Sequence, residues 1–202
     1  DRDWSADVCS SALGKVKEYH AIVHATHDSH SFEEQLEAVN TAAHEVLSSE
    51  MNGAKPLFRR YFLSDIVNQT PFLKAASGQL PCARSAVQQS PLDGTKVALW
   101  FYAVSDAEVS YDKEANLSMA THAGLRHLWV AGQHGTGEQS REQTQKIFER
   151  YIGLLGAHGM KLADECIRTW FFVSDIDNRY AGMVEARNEA FDAEGLTDQT
   201  HY

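Results

Sequence analysis

His24, His27 and His30 recur every third residue with Asp28 among them, a donor set that could hold a metal ion if the local structure made the rings converge. Tyr19 to Thr26 reads as a strand that runs into a turn, so the three rings point in different directions. A solvated loop is therefore expected, with no metal. Gln133-His134-Gly135-Thr136-Gly137 is glycine-rich and follows a strand-like run. A phosphate loop ends in Gly-Lys-Ser/Thr and a dinucleotide fold needs three spaced glycines, and neither pattern is present. The segment reads as a turn, and no cofactor is expected. Cys82 and Cys166 could act as nucleophiles, but neither has a nearby histidine in sequence or a context that stabilises a thiolate, so small buried residues are expected.

Composition narrows the function classes. The chain of 202 residues carries 28 acidic against 18 basic side chains, a formal charge of -10. Tracking a phosphate backbone needs clustered lysine and arginine, and only Arg59-Arg60 stand adjacent, so a nucleic-acid partner is not expected. No apolar run approaches the roughly 20 residues that span a bilayer, and no membrane partner is expected. Asp1-Arg2-Asp3-Trp4 has no signal-peptide character. Cys9, Cys82 and Cys166 form an odd, scattered set rather than a disulfide framework, which suits a reduced cytoplasmic setting.

The elements that position such residues occur twice. Phe62-Leu63-Ser64-Asp65-Ile66 returns as Phe172-Val173-Ser174-Asp175-Ile176, and Asn68 matches Asn178. Ser31-Phe32-Glu33 matches Ser140-Arg141-Glu142. A domain-scale duplication follows, well beyond solenoid periods. In the first copy, Ser31 and Glu34 form a capping box ahead of Phe32, Leu36, Val39, Ala43, Val46 and Leu47 at helical spacing, and Asn52-Gly53 closes that helix. Residues 58–64 read as a strand, 65–76 as a short helix with Pro71 in its first turn, and 83–89 as a strand. After an Asp93-Gly94 turn, Val97 to Val104 reads as a strand buried on both faces. Residues 1–18 are polar and mixed and give little signal. The first domain is expected over 19–106, a charged linker over 107–126, and a second domain over 127–202. The second copy reads as strand 128–132, helix 140–157, strand 167–173 and helix 180–194, without a final strand pair. It is expected to be C-terminally incomplete, with the natural chain or assembly continuing past Tyr202. Ser64-Asp65 and Ser174-Asp175 read as helix N-caps.

Pro81-Cys82-Ala83-Arg84-Ser85-Ala86-Val87, then Pro91-Leu92-Asp93-Gly94 and the strand from Val97, resembles the closing segment of the YjgF/YER057c/UK114 (Rid) domain. Val130-Ala131-Gly132-Gln133, Thr169 to Ile176 and Ala186 to Phe191 are similar to that family's first strand, its second-helix approach and the helix itself. The resemblance implies an α+β fold of two chorismate-mutase-like mixed-sheet domains, each backed by two helices. It also implies a homo-oligomer, usually a trimer, with clefts between subunits. Family members that hydrolyse enamines and imines use an arginine to hold the substrate carboxylate, and Arg84 stands at that position. Two departures accompany it: Ala86 where active members commonly carry cysteine, and Trp100 where a water-orienting glutamate is expected. Tandem copies with a degraded first one also resemble the chorismatases. The expected function is a Rid-like hydrolase of a carboxylate-bearing metabolite, deaminase-like or chorismatase-like, with Arg84 binding substrate and the catalytic residues unassigned. The alternative is a non-catalytic ligand-binding or oligomer-scaffold protein. The ribonuclease label that some members carry does not suit the acidic balance.

Overall fold

A computed structural model describes residues 3–197, which fall into two compact units, Asp1–Gly132 and Gln133–Tyr202. The first unit opens on a hairpin of β1 (Trp4–Leu13) and β2 (Val16–Ala25), antiparallel from Trp4↔Ala25 to Leu13↔Val16. Residues 4–18 are therefore a strand, a turn and the start of the next strand, not featureless. Trp4, Ala6 and Val8 alternate with Ser5, Asp7 and Cys9, and the apolar set packs on the core.

α1 (Phe32–Ser49) begins at the expected capping box: Glu34 N–H donates to Ser31 Oγ at 3.2 Å and Ser31 N–H to Glu34 Oε2 at 2.7 Å. Those bonds hold the Glu34 carboxyl below its ordinary pKa. The chain continues through β3 (Lys55–Leu63), α2 (Ile66–Ala75), β4 (Ala83–Gln88) and β5 (Val97–Val104). The five strands make one mixed sheet in the order β1-β2-β5-β3-β4, in which only β3 and β4 are parallel. β5 is central, which is why its residues are apolar throughout. One face carries the main core, where Val39, Ala42, Ala43 and Val46 of α1 meet Val23, Leu99 and Phe101. Pro71 lies in the middle of α2 rather than in its first turn, so no N–H reaches back to Val67.

Residues 107–126, expected as a linker, fold instead as β6 (Glu108–Asp112), β7 (Leu117–His122) and the start of β8 (Leu125–Val130). These pair as a three-stranded antiparallel sheet. It covers part of the main sheet's other face: Trp129 stacks on Phe58 at 4.9 Å and lies 5.0 Å from Tyr102. The strand expected to open the second copy is thus β8, paired to β7. The charges of this stretch suggest a connector, whereas Val109, Ala120 and Trp129 supply one apolar face.

In the second unit α3 (Ser140–Ala157), a short α4 (Leu162–Glu165) and α5 (Ile176–Ala193) contain the expected helices. Phe148 of α3 meets Phe171 and Phe191 at 5.6 and 5.7 Å. Arg141 binds Glu189 across the pair at 2.6 Å. Gly182 lets the helices approach, because a Cβ there would lie 2.6 Å from Ser140 Oγ. The expected strand 167–173 is not formed, and this unit has no strand among its described residues. A strand exists only through pairing, and here Ile167, Trp170 and Phe172 stay exposed. No helix among the described residues is long and apolar enough to cross a membrane.

Ser31→Ala removes the hydroxyl half of the capping box and is expected to cost about 1 kcal/mol. Urea unfolding followed by circular dichroism will show this as a lower midpoint at unchanged slope.

Candidate functional site

Parallel pairing of β3 with β4 sets Arg59 opposite Arg84, and antiparallel pairing sets Arg59 opposite Phe101. Both guanidinium-bearing residues therefore belong to the helix-facing side of the sheet, while Arg60 belongs to the other. Gln79 joins the pair. Its amide nitrogen caps the end of α2, donating to Leu73 O at 2.6 Å and Ala76 O at 3.0 Å. Its Oε1 accepts from Arg59 Nη2 at 2.9 Å and from Arg84 Nη1 at 3.0 Å. Two cations thus converge on one neutral oxygen. Arg59 is only 5% exposed, and its Nε and Nη1 have no hydrogen-bond partner among the described residues. No ion pair to either guanidinium occurs among the described residues. An unpaired buried charge costs several kcal/mol, so this cluster favours an anion.

The backbone of Arg84 is clamped. Arg84 N–H donates to Asn116 Oδ1 at 2.8 Å, and Asn116 Nδ2 donates to Arg84 O at 2.7 Å and Ala131 O at 2.8 Å. Ala83 N–H donates to Ser118 Oγ at 2.8 Å. Side chains from β7 and its approach therefore replace a neighbouring strand along the edge of β4. Gly132 is required beside them: a Cβ there would lie 2.7 Å from Asn116 Nδ2 and 2.8 Å from Arg84 O.

Tyr61 and Cys82 lie under the arginines. Tyr61 is fully buried and donates its hydroxyl to Asn40 Oδ1 at 2.6 Å. Burial pushes its pKa up to about 12, against the pull of the Arg59 and Arg84 charges. Burial likewise pushes the Cys82 thiol up to about 12, with Arg59 pulling the other way. Neither is ionised near neutrality, so Cys82 is a small buried side chain and not a thiolate nucleophile.

Trp100 lies opposite Arg60 and Ile22, on the other face of the sheet from Arg84. There Arg60 sits 5.0 Å from the Phe58 ring and 5.5 Å from that of Trp100, and donates to Ser85 Oγ at 2.9 Å. Burial lowers its pKa to about 10. Ala86, opposite Tyr61, shares the face of Arg84 but brings no functional group. The groups bonded to the arginine pair thus hold no carboxylate or imidazole for proton transfer.

The other sequence candidates lie elsewhere. His24 Nδ1 is 3.2 Å from Asp93 Oδ2 and His27 Nε2 is 3.4 Å from Asp3 Oδ1, so His24 turns away, whereas the His27 and His30 rings pack together at 4.8 Å. The carbonyls of Thr136 and Gly137 are bonded by Lys146 and Gln143, as in a folded turn. Asp65 and Asp175 precede α2 and α5, each bonded by the amide of the matching asparagine, Asn68 or Asn178. Only Asp65 also caps a backbone N–H, that of Asn68; Asp175 instead takes a left-handed backbone. Sequence reasoning missed Arg59, Gln79 and Asn116, which have no local pattern. The one legible signal was a pair of arginines on successive strands.

No protein-family model matches the chain, and no curated protein matches its sequence. Among solved structures, a chorismatase crystal structure superposes on 95% of this chain and 72% of its own, with a TM-score of 0.51 at 12% identity. A Salmonella typhimurium protein described as a candidate translation initiation inhibitor aligns with 48% of this chain and 96% of its own, with a TM-score of 0.34 at 18% identity. The chain has a chorismatase-like α+β fold. At that identity the likeness extends to the fold and not to the activity.

Two outcomes test the site. Asn116→Ala leaves three backbone groups without their partner and is expected to destabilise the fold by roughly 1–3 kcal/mol, read from urea unfolding. With a thiol-reactive dye at pH 8, exposed Cys9 is expected to react at once and Cys82 only on unfolding. Fast labelling of Cys82 in the native state would contradict its protonated, buried assignment.

Proposed function

We propose that this chain is a Rid-like small-molecule hydrolase whose substrate carries a carboxylate, with Arg84 as the substrate anchor. The observation that carries this reading is the Arg59–Arg84 pair, two guanidiniums meeting at a neutral oxygen with no carboxylate among the described residues to neutralise them. A guanidinium forks onto a carboxylate through two charge-assisted hydrogen bonds, and the Asn116 clamp holds the Arg84 strand for that contact. The chorismatase-like fold agrees with a small-molecule ligand. In this reading water attacks a polarised carbon of the bound metabolite, and the groups that activate the water are not among the partners of Arg84.

A second reading keeps the anion site and removes the chemistry. Trp100, at the position where the resemblance expects a water-orienting glutamate, lies on the face opposite Arg84. The chain would then be a ligand-binding or scaffold member of an oligomer. Ile22, 42% exposed beside Trp100, would lie against a neighbouring subunit of a trimer.

Thermal-shift measurements with pyruvate, 2-oxobutyrate, chorismate and benzoate test both. A carboxylate at about 100 times its Kd is expected to stabilise the protein by about 2.7 kcal/mol, a rise of several degrees. Arg84→Ala is expected to weaken that ligand about 10- to 100-fold. Turnover of the same ligand, followed by chromatography, selects the hydrolase; binding without turnover selects the scaffold. No shift with any carboxylate, or a shift that survives Arg84→Ala, refutes Arg84 as anchor.

A further inference from the structure

β1 forms one edge of the five-stranded sheet, and no strand pairs with its outer side among the described residues. Asp3 O accepts from Thr26 N–H across the hairpin at 3.0 Å. Backbone groups alternate in direction along an antiparallel strand, so the odd-numbered residues of β1 bond toward β2. Those of Ala6, Val8, Ser10 and Ala12 point outward. Natural edges carry devices that block further pairing: lysine, proline, a bulge or short length. β1 has none of these. It is 10 residues long, its register with β2 runs unbroken, and Asp7 is its only charged side chain. Ala6 and Val8 pack on the core from this edge yet stay only partly buried.

We infer that β1 is an interface for a second copy of this chain, which pairs antiparallel with it about a two-fold axis at Val8. Two identical edges satisfy each other in one isologous contact, which closes and leaves neither edge open. With Val8 opposite Val8, Ala6 meets Ser10 and Trp4 meets Ala12, a register that adds about ten backbone hydrogen bonds. The half-covered Val8 side chains then cover each other on the helix-facing side. Charge selects this register. Asp7 lies opposite Cys9 of the second copy, whose cross-strand partner is His20, so a carboxylate faces an imidazole along that row. An axis at Asp7 would oppose two carboxylates directly, which destabilises a strand pair. An axis at Cys9 would set Asp7 opposite Ser11 of the second copy, whose cross-strand partner is the acidic Glu18. The contact is one strand wide, so the dimer belongs to the weak, reversible size class. The inference rests on the edge and not on the carboxylate site.

Analytical ultracentrifugation of the whole chain is expected to show an average mass that rises toward that of a dimer with concentration. Diamide oxidation of Asp7→Cys reads the register, because the new thiol lies directly opposite Cys9 of the second copy, within disulfide reach. A covalent dimer is expected, about tenfold more abundant than in wild type or in Asp7→Cys/Cys9→Ser, whose thiols across the axis are diagonal neighbours about 7–8 Å apart. Peptide mass spectrometry assigns the bond to position 7 and Cys9. Ser10→Pro replaces an outward N–H with a ring, a change that edge strands tolerate. It is expected to keep the wild-type melting temperature and to lower both the mass increase and the cross-link about tenfold. A chain that stays monomeric at every concentration, cross-linking no greater than in the controls, a Cys9–Cys9 dimer of the wild type, or a folded Ser10→Pro variant that still dimerises would each overturn the assignment.

Discussion

The parallel pairing of β3 with β4 is the constraint on which the rest of the first unit depends. Parallel neighbours cannot be joined by a tight turn, so the chain must cross over, and α2 is that crossover. The crossover delivers Gln79 to the start of β4, where one amide satisfies the end of α2 and receives both arginines. A slip of one residue in the pairing would turn Arg84 to the opposite face and separate it from Arg59. The cation pair is therefore a product of register, and register is held by the helix capped at one end by Asp65 and at the other by Gln79.

The same arrangement leaves β4 as an edge strand whose backbone groups need partners. Asn116 and Ser118 supply them with side chains rather than with a strand, so the small sheet beside β4 serves as an edge cover. Coupling follows from this geometry. Arg84 is positioned through its backbone by Asn116 and through its side chain by Gln79, and Gly132 leaves the space that the Asn116 clamp requires. Arg59 and Arg60 are the buried cations among the described residues.

Local patterns were legible where a residue's neighbours in sequence are also its partners. The Ser31–Glu34 box, the Asp65–Asn68 cap and the apolar run of β5 each follow from a few adjacent side chains, and the structure has all three. Arg84 could be singled out from its motif, but its partners could not, because Arg59, Gln79 and Asn116 meet it only through strand pairing and a crossover. The linker reading of 107–126 failed for a related cause: alternating charge marks one face of a strand as readily as it marks a connector, and the difference lies in what covers the other face.

By itself the sequence determined the helices, the central strand, the acidic balance and the duplicated Ser-Asp-Ile segments, since these rest on composition and short-range spacing. Only the tertiary structure decided which arginines share a face, which edge Asn116 covers, and that 167–173 forms no strand while 107–126 joins a sheet. Strand pairing and burial are long-range events. Their energy comes from groups far apart in the chain, and no local pattern encodes which of those groups will meet.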